Sequence, residues 1–285
     1  MTDQARCSDI QVEPLPGTAK QERVYVILEH VGGWSRDVLD GGTFGAELTA
    51  ELKAHLKGRA GLQLIRRPGR AGRAEGPRRL YLVFADEGVA EQLVVAGPEA
   101  ILQLDLGGPG RNGAEPVGHP LVLVCTHGKR DVCCALKGRP LAAELVERYP
   151  GEVVWETSHT KGHRFAPSLL LMPWGYSFGR LNPSAATALV DAALAGEYFL
   201  PGNRGRGLYG PVGQVAELAV ATSLTEAGET LRFGDLAADG DVVTHTDGRR
   251  WTVAMKKQEV TGVVSSCGDA PKTGTSWVAE QISAA

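Results

Sequence analysis

Three consecutive segments in the middle of the chain do most to narrow its fold. "HPLVLVCTHG" is an apolar run that suits a buried strand, "ALKGRPLAAELVERYPG" reads as a helix, and "EVVWETS" is a second strand. Strand, helix and strand in that order point to an α/β unit. Two strands in hairpin style follow, "APSLLLMPWG" and "YSFGRL". "NPSAATALVDAALAGEYF" is then a helix opened by an Asn cap, with Pro183 at its first position. The order βαβββα or βαββα is that of a thioredoxin-like domain.

A similar order comes earlier. "RVYVILEH" (Arg23–His30) is a strand. "GGTFGAELTAELKAHLKG" spaces Leu48, Leu52 and Leu56 by four, as one helix face requires, and "GLQLIRR" and "RRLYLVFAD" read as two more strands. The loop between those strands, "PGRAGRAEGP", is rich in Gly, Pro and Arg, and "GGPGRNGAEP" (Gly107–Pro116) reads as a linker. After the central unit come the helix "GQVAELAVATSLTEAG", a hairpin turning at Asp247–Gly248, and one strand around "TSWVAEQI". The expected organisation is a flexible tail over 1–22, a smaller α/β domain over 23–112, itself thioredoxin-like or related, a thioredoxin-like domain over 117–206, and a C-terminal helix plus β-hairpin over 207–285.

Composition excludes several classes. A chain of 285 residues that is 43% hydrophobic and 22% charged is an ordinary globular protein. A net charge of −3 argues against general nucleic-acid binding. The N-terminus lacks the apolar core of a signal peptide, and "LLLMPW" is too short to span a bilayer. A cytoplasmic location is therefore expected, with no nucleic-acid or membrane partner. Five cysteines with three bunched do not form a disulfide framework.

Those bunched cysteines carry the chemistry. Cys125 ends the buried strand, where α/β domains usually place their sites. Cys133 and Cys134 open the next helix, whose N-terminus, with Lys129 and Arg130 nearby, favours thiolate over thiol. The plainer reading is small cysteines filling buried space. His159 and His163 flank "TKG" at the end of the following strand, and Gly162 favours a loop there over a helix. Two thiolates and two imidazoles make a closed set of four ligands. Such a set suits structural zinc or a Rieske-type 2Fe–2S cluster. His127 is a candidate to orient a ligand, to replace one, or to serve as a plain loop residue. Lys129, Arg130, Lys161 and Arg164 form either a basic mouth for an anionic partner or ordinary solvated loop charge. The six arginines of "RRPGRAGRAEGPRR" read as an Arg-rich mobile loop rather than a polyanion contact. Trp174 and Tyr176 are expected in the core, and no Gly-rich stretch fits a nucleotide fingerprint.

From about His119 to Arg206 the sequence resembles a thioredoxin-like 2Fe–2S ferredoxin. "WGYSFGRLNPSAATALVDAALAGE" is similar to that family's closing hairpin and helix, and His159 and His163 stand where plain members carry a second Cys-x-x-x-Cys pair. With the leading strand–helix unit and the "SSCG" near the end, the chain resembles the sucrase/ferredoxin-like family over nearly its whole length. The resemblance implies a 2Fe–2S cluster on Cys125, Cys134, His159 and His163. The family pattern puts the second cysteine nine positions after the first, which selects Cys134 over Cys133. Two neutral imidazoles in place of two thiolates bring the oxidised centre to zero charge. Its potential should then lie above the roughly −400 mV of plant-type ferredoxins. The implied role is one-electron transfer with an anionic redox partner or substrate, namely a reductase, a ferredoxin or a ferric siderophore. Nothing supports sucrose hydrolysis. A zinc-stabilised Cys2His2 binding module without a redox role is the reading from a second class.

Overall fold

A computed structural model describes residues 6–69 and 76–285. The middle of the Arg-rich loop and the first five residues lie outside them. The first unit runs β1 (Val24–Glu29), α1 (Ala46–Leu56), β2 (Gly61–Arg66), β3 (Arg78–Phe84), β4 (Val89–Val95) and the short β5 (Glu115–Pro116). The second runs β6 (Leu121–Cys125), α2 (Val132–Arg148), β7 (Val154–Thr157), β8 (Ser168–Met172), β9 (Tyr176–Gly179), α3 (Pro183–Ala195) and β10 (Asn203–Arg206). The α/β class expected from the sequence is observed.

The two units share one ten-stranded sheet, ordered β10-β9-β8-β6-β7-β2-β1-β3-β4-β5. Each unit pairs its first two strands in parallel, β6 with β7 and β1 with β2, and adds its third and fourth antiparallel on the far side of the first. The same short plan is thus used twice. The sequence expectation treated the units as separate domains, but β7 and β2 zip them together antiparallel through Ile65–Thr157 and Arg66–Glu156. An Arg66–Glu156 ion pair at 2.8 Å reinforces that seam.

Alternation along the strands assigns the faces. Tyr25 and Ile27 of β1 join Leu121 and Leu123 of β6 and Trp155 of β7 in one core that spans the seam. Their neighbours Val26 and Leu28 pack under α1, whereas Val122 and Val124 pack under α2 and α3. A strand covered on both faces has no polar position, which explains the unbroken run "LVLVC". Tyr176 is fully buried in this core and Trp174 stacks on Phe233 at 4.6 Å, as expected of both.

The C-terminal region contains α4 (Pro211–Glu226) packed on a four-stranded antiparallel sheet of β11 (Leu236–Asp239), β12 (Val242–His245), β13 (Arg250–Val263) and β14 (Lys272–Ala284). It is larger than the hairpin read from sequence. The turn between β12 and β13 includes Thr246 as well as Asp247 and Gly248, because His245 N–H donates to Arg249 O. Gly248 takes a φ of 96°, which a side chain would resist.

The segment before β1, expected as a loose tail, is held against the second unit from Cys7 onward. Cys7 and Ser8 are fully buried. Glu13 receives a two-pronged bond from Arg164 at 2.5 and 2.8 Å, and the backbone oxygen of Thr18 accepts from the buried Arg204. No helix of the described residues is long and apolar enough to cross a membrane.

Candidate metal centre

Two loops meet at the seam. The first leaves β6 at Cys125 and enters α2, where Asp131 caps the helix by accepting the backbone N–H of Cys133 at 2.9 Å. This cap places Cys133 and Cys134 in the first turn on buried sides. Gly138, one turn further on, lies against the end of β6, and a Cβ there would overlap the carbonyl oxygen of Cys125. The absence of that carbon lets α2 approach closely enough to bring Cys134 to Cys125.

The second loop leaves β7 beside the seam. Leu64 N–H donates to Ser158 Oγ at 3.0 Å, and Ser158 N–H returns a bond to Leu64 O at 2.8 Å. His159 follows at once. Lys161 then takes a left-handed φ of 58°, and the chain enters a 3-10 turn at His163–Phe165. This tight turn sets the rings of His159 and His163 5.0 Å apart. The loop conformation expected from Gly162 is observed.

Sulfur and nitrogen atoms of Cys125, Cys134 and His159 all lie within 4.8 Å of one another. His163 stands beside this trio rather than in it. Its Nε2 bonds Ser266 Oγ at 2.8 Å, and its other ring nitrogen, Nδ1, is buried without a partner. His159 Nδ1 is likewise buried and unpartnered. Cys133, the rejected neighbour of Cys134, points to a different place and contacts Cys7 and Cys267 at 3.6 and 3.3 Å.

The pair of thiols is unequal. The Cys134 thiol donates to Cys125, and together with the imidazole of His159 this holds Cys125 well below the ordinary thiol range despite complete burial. Cys134 is pushed up correspondingly, because giving up its proton would put a second negative charge beside Cys125 in a buried site. Burial lowers His163, so the imidazole stays neutral. A bound cation would take the place of the thiol protons, as metal binding to cysteine requires.

His127, for which the sequence offers an orienting role, a replacement ligand or a plain loop position, makes contacts across the seam. Its Nε2–H donates to Ser35 O at 2.8 Å, and its ring meets Trp34 edge-on at 5.7 Å. Beside it opens a cavity of about 240 Å³ lined by His127, Ser158, His159, Arg36, Arg130 and Lys161, among others. Of the expected basic residues, Arg130 and Lys161 face this cavity, whereas Arg164 is neutralised by Glu13. Arg36 was missed, because it comes from the loop after β1 and only the seam brings it here. Asp131 and Ser266 were also missed. Asp131 had a readable signal, an acidic residue directly before a helical run. Ser266 had none.

The residues present suit a cluster ligated by two cysteines and two histidines. They supply two buried sulfurs, of which Cys125 is the readier to lose its proton, and two buried imidazole Nδ1 atoms without a hydrogen-bond partner. A family model described as Sucrase/ferredoxin-like matches residues 15–205. No curated protein and no solved structure matches the chain.

Proposed function

Because the chain belongs to the sucrase/ferredoxin-like family, we propose that it carries a 2Fe–2S cluster on Cys125, Cys134, His159 and His163 and transfers single electrons. The observation that carries this reading is the convergence of Cys125, Cys134 and His159 beside two buried, unpartnered Nδ1 atoms. When bound, such a cluster supplies a one-electron couple whose potential is raised by neutral imidazole ligands. The chain's own residues then do three things. Asp131 and Gly138 fix the sulfurs, Ser266 orients the ring of His163, and the apolar strands keep water from the cysteines.

The cavity beside His159 is the proposed docking point. Lys20, Arg36, Arg130 and Lys161 outnumber Glu22 and Asp37 around it, which favours an anionic redox partner or substrate, whether a reductase, a ferredoxin or a ferric siderophore. A single zinc ion on the same four residues is less well supported. Tetrahedral zinc bonds of roughly 2.0–2.3 Å need every donor close to the others, and His163 falls outside the group formed by the other three.

The test is the spectrum and composition of the purified protein. Equal iron and sulfide, a red-brown colour and a reduced-state EPR signal are expected. Cys134→Ser should abolish or grossly alter the spectrum, whereas Cys133→Ser, Cys7→Ser and Cys267→Ser should keep it. A normal spectrum in Cys134→Ser would overturn the ligand assignment.

A further inference from the structure

Three cysteines remain outside the cluster reading, and they come from the two ends and the middle of the chain. Cys7 lies in the 3-10 turn Cys7–Asp9, Cys133 in the first turn of α2, and Cys267 in the link between β13 and β14. Their sulfurs form a nearly equilateral triangle with sides of 3.3, 3.5 and 3.6 Å. All three are free, and the separations are far longer than the roughly 2.05 Å of a disulfide bond. Asp131 closes the figure. Its Oδ1 stands 3.3 Å from Cys267 Sγ and 3.8 Å from Cys7 Sγ.

We propose that Cys7, Cys133, Cys267 and Asp131 form a second, structural zinc site. Zinc–sulfur bonds of about 2.3 Å set tetrahedral sulfurs roughly 3.8 Å apart, close to the observed triangle. The set is rich in sulfur, closed and almost buried, which suits zinc better than a harder cation. The bonds of Asp131 to the backbone N–H groups of Cys133 and Cys267 set its carboxylate beside the three sulfurs, where it completes a set of four donors within 4.8 Å of one another.

Binding balances simply. Each thiol loses its proton to solvent as it bonds zinc, and Asp131 is already ionised, so the filled site carries a charge of about −2. The N–H groups of Cys133 and Cys267, each 2.9 Å from Asp131, and the positive end of α2 face that charge. The site pins the N-terminal segment and the β13–β14 link to the helix that bears Cys134. Ser266 precedes Cys267, so the ion also fixes the residue that bonds His163.

This inference stands apart from the cluster, and zinc and iron counted separately distinguish their failures. Full-length protein is analysed for both metals per chain and by native mass spectrometry, then challenged with a chelator. One zinc beyond the iron is expected. Cys7→Ser and Cys267→Ser should each weaken zinc retention by roughly a hundredfold or more while leaving iron in place. Cys125→Ser should lose iron and keep zinc. Cys133→Ser carries a greater risk to folding, so thiol alkylation of the unaltered protein supplies a second reading. Three thiols should become reactive only after the chelator removes zinc. A zinc-free chain after refolding with excess zinc would overturn the site, as would a mass lower by two hydrogens from a disulfide among these cysteines. Zinc that follows Cys134→Ser rather than Cys267→Ser would overturn both this site and the cluster assignment.

Discussion

Asp131 Oδ2 lies 3.9 Å from Nε2 of His163, so a single carboxylate borders both the candidate cluster and the triangle of cysteines. Burial pushes the carboxyl up. The N–H groups of Cys267 and Cys133 outweigh that and leave it below the ordinary carboxylate range. An ionised Asp131 can therefore cap α2 and face the three sulfurs.

Close approach of α2 to β6 yields the first prediction. Gly138→Ala gains about 1 kcal/mol of helix propensity, but its Cβ overlaps the carbonyl oxygen of Cys125. Overpacking of this kind typically costs about 1–3 kcal/mol or more. Net destabilisation in chemical denaturation is expected, with reduced iron content because Cys125 and Cys134 are forced apart. Unchanged stability and iron would show that the interface yields easily.

The second prediction concerns the cavity. A variant with Arg36→Glu, Arg130→Glu and Lys161→Glu should slow reduction by an anionic donor by roughly tenfold or more at low salt. It should also flatten the fall of that rate with ionic strength. A variant with both Glu13→Gln and Arg164→Gln should leave the salt slope alone, since that ion pair carries no net charge. Stopped-flow rates across a salt series decide the matter, and an unchanged slope in the triple variant would remove the docking role.

A third prediction follows from the two imidazoles being unequal. His159 is half-buried and lines the cavity, whereas His163 is buried with Nε2 bonded to Ser266. Proton exchange coupled to reduction should thus run mainly through His159. The potential should fall as pH rises, with a slope approaching about 59 mV per unit for one proton per electron. His159→Cys should lower the potential and flatten this response more than His163→Cys does. Film voltammetry over pH measures it, and unchanged spectra in both variants would argue against histidine ligation.

Far from the site, Glu217 gives a prediction about stability. It is fully buried on α4 and accepts a hydrogen bond from Tyr176, while its Oε2 has no partner. Burial raises its carboxyl to about 7 from an ordinary 4.5. The folded protein therefore binds a proton that the unfolded chain has released between those values. The favourable contribution is complete below about pH 4.5 and is lost as pH rises through about 7, a change on the order of 3 kcal/mol. Glu217→Gln should remove this fall, as urea denaturation at pH 5 and pH 8 would reveal. An identical pH profile in the variant would place the proton elsewhere.

Much of this was legible in the chain itself. Apolar runs bounded by turn residues gave the strands, and the leucine spacing gave α1, because burial on a sheet face or a helix stripe imposes a short local period. The Asn182–Pro183 cap and Gly162 marked a helix start and a loop for equally local reasons. The pairing of Cys125 with Cys134 rested on resemblance, and the first turn of α2 supplies its reason. Neighbours on a helix point about 100° apart, so Cys133 and Cys134 face different surroundings.

What only the tertiary structure decided is everything that depends on contacts between distant segments. The β2–β7 seam makes one sheet of two units, and nothing in either edge strand names its partner. Arg36 reaches the cavity, Ser266 reaches His163, and Cys7 and Cys267 reach Cys133 across more than a hundred residues. Hydrophobic patterning says which face of an element is buried. It does not say against what, because apolar attraction has no direction and pairing is settled by shape and hydrogen-bond satisfaction once the chain is folded.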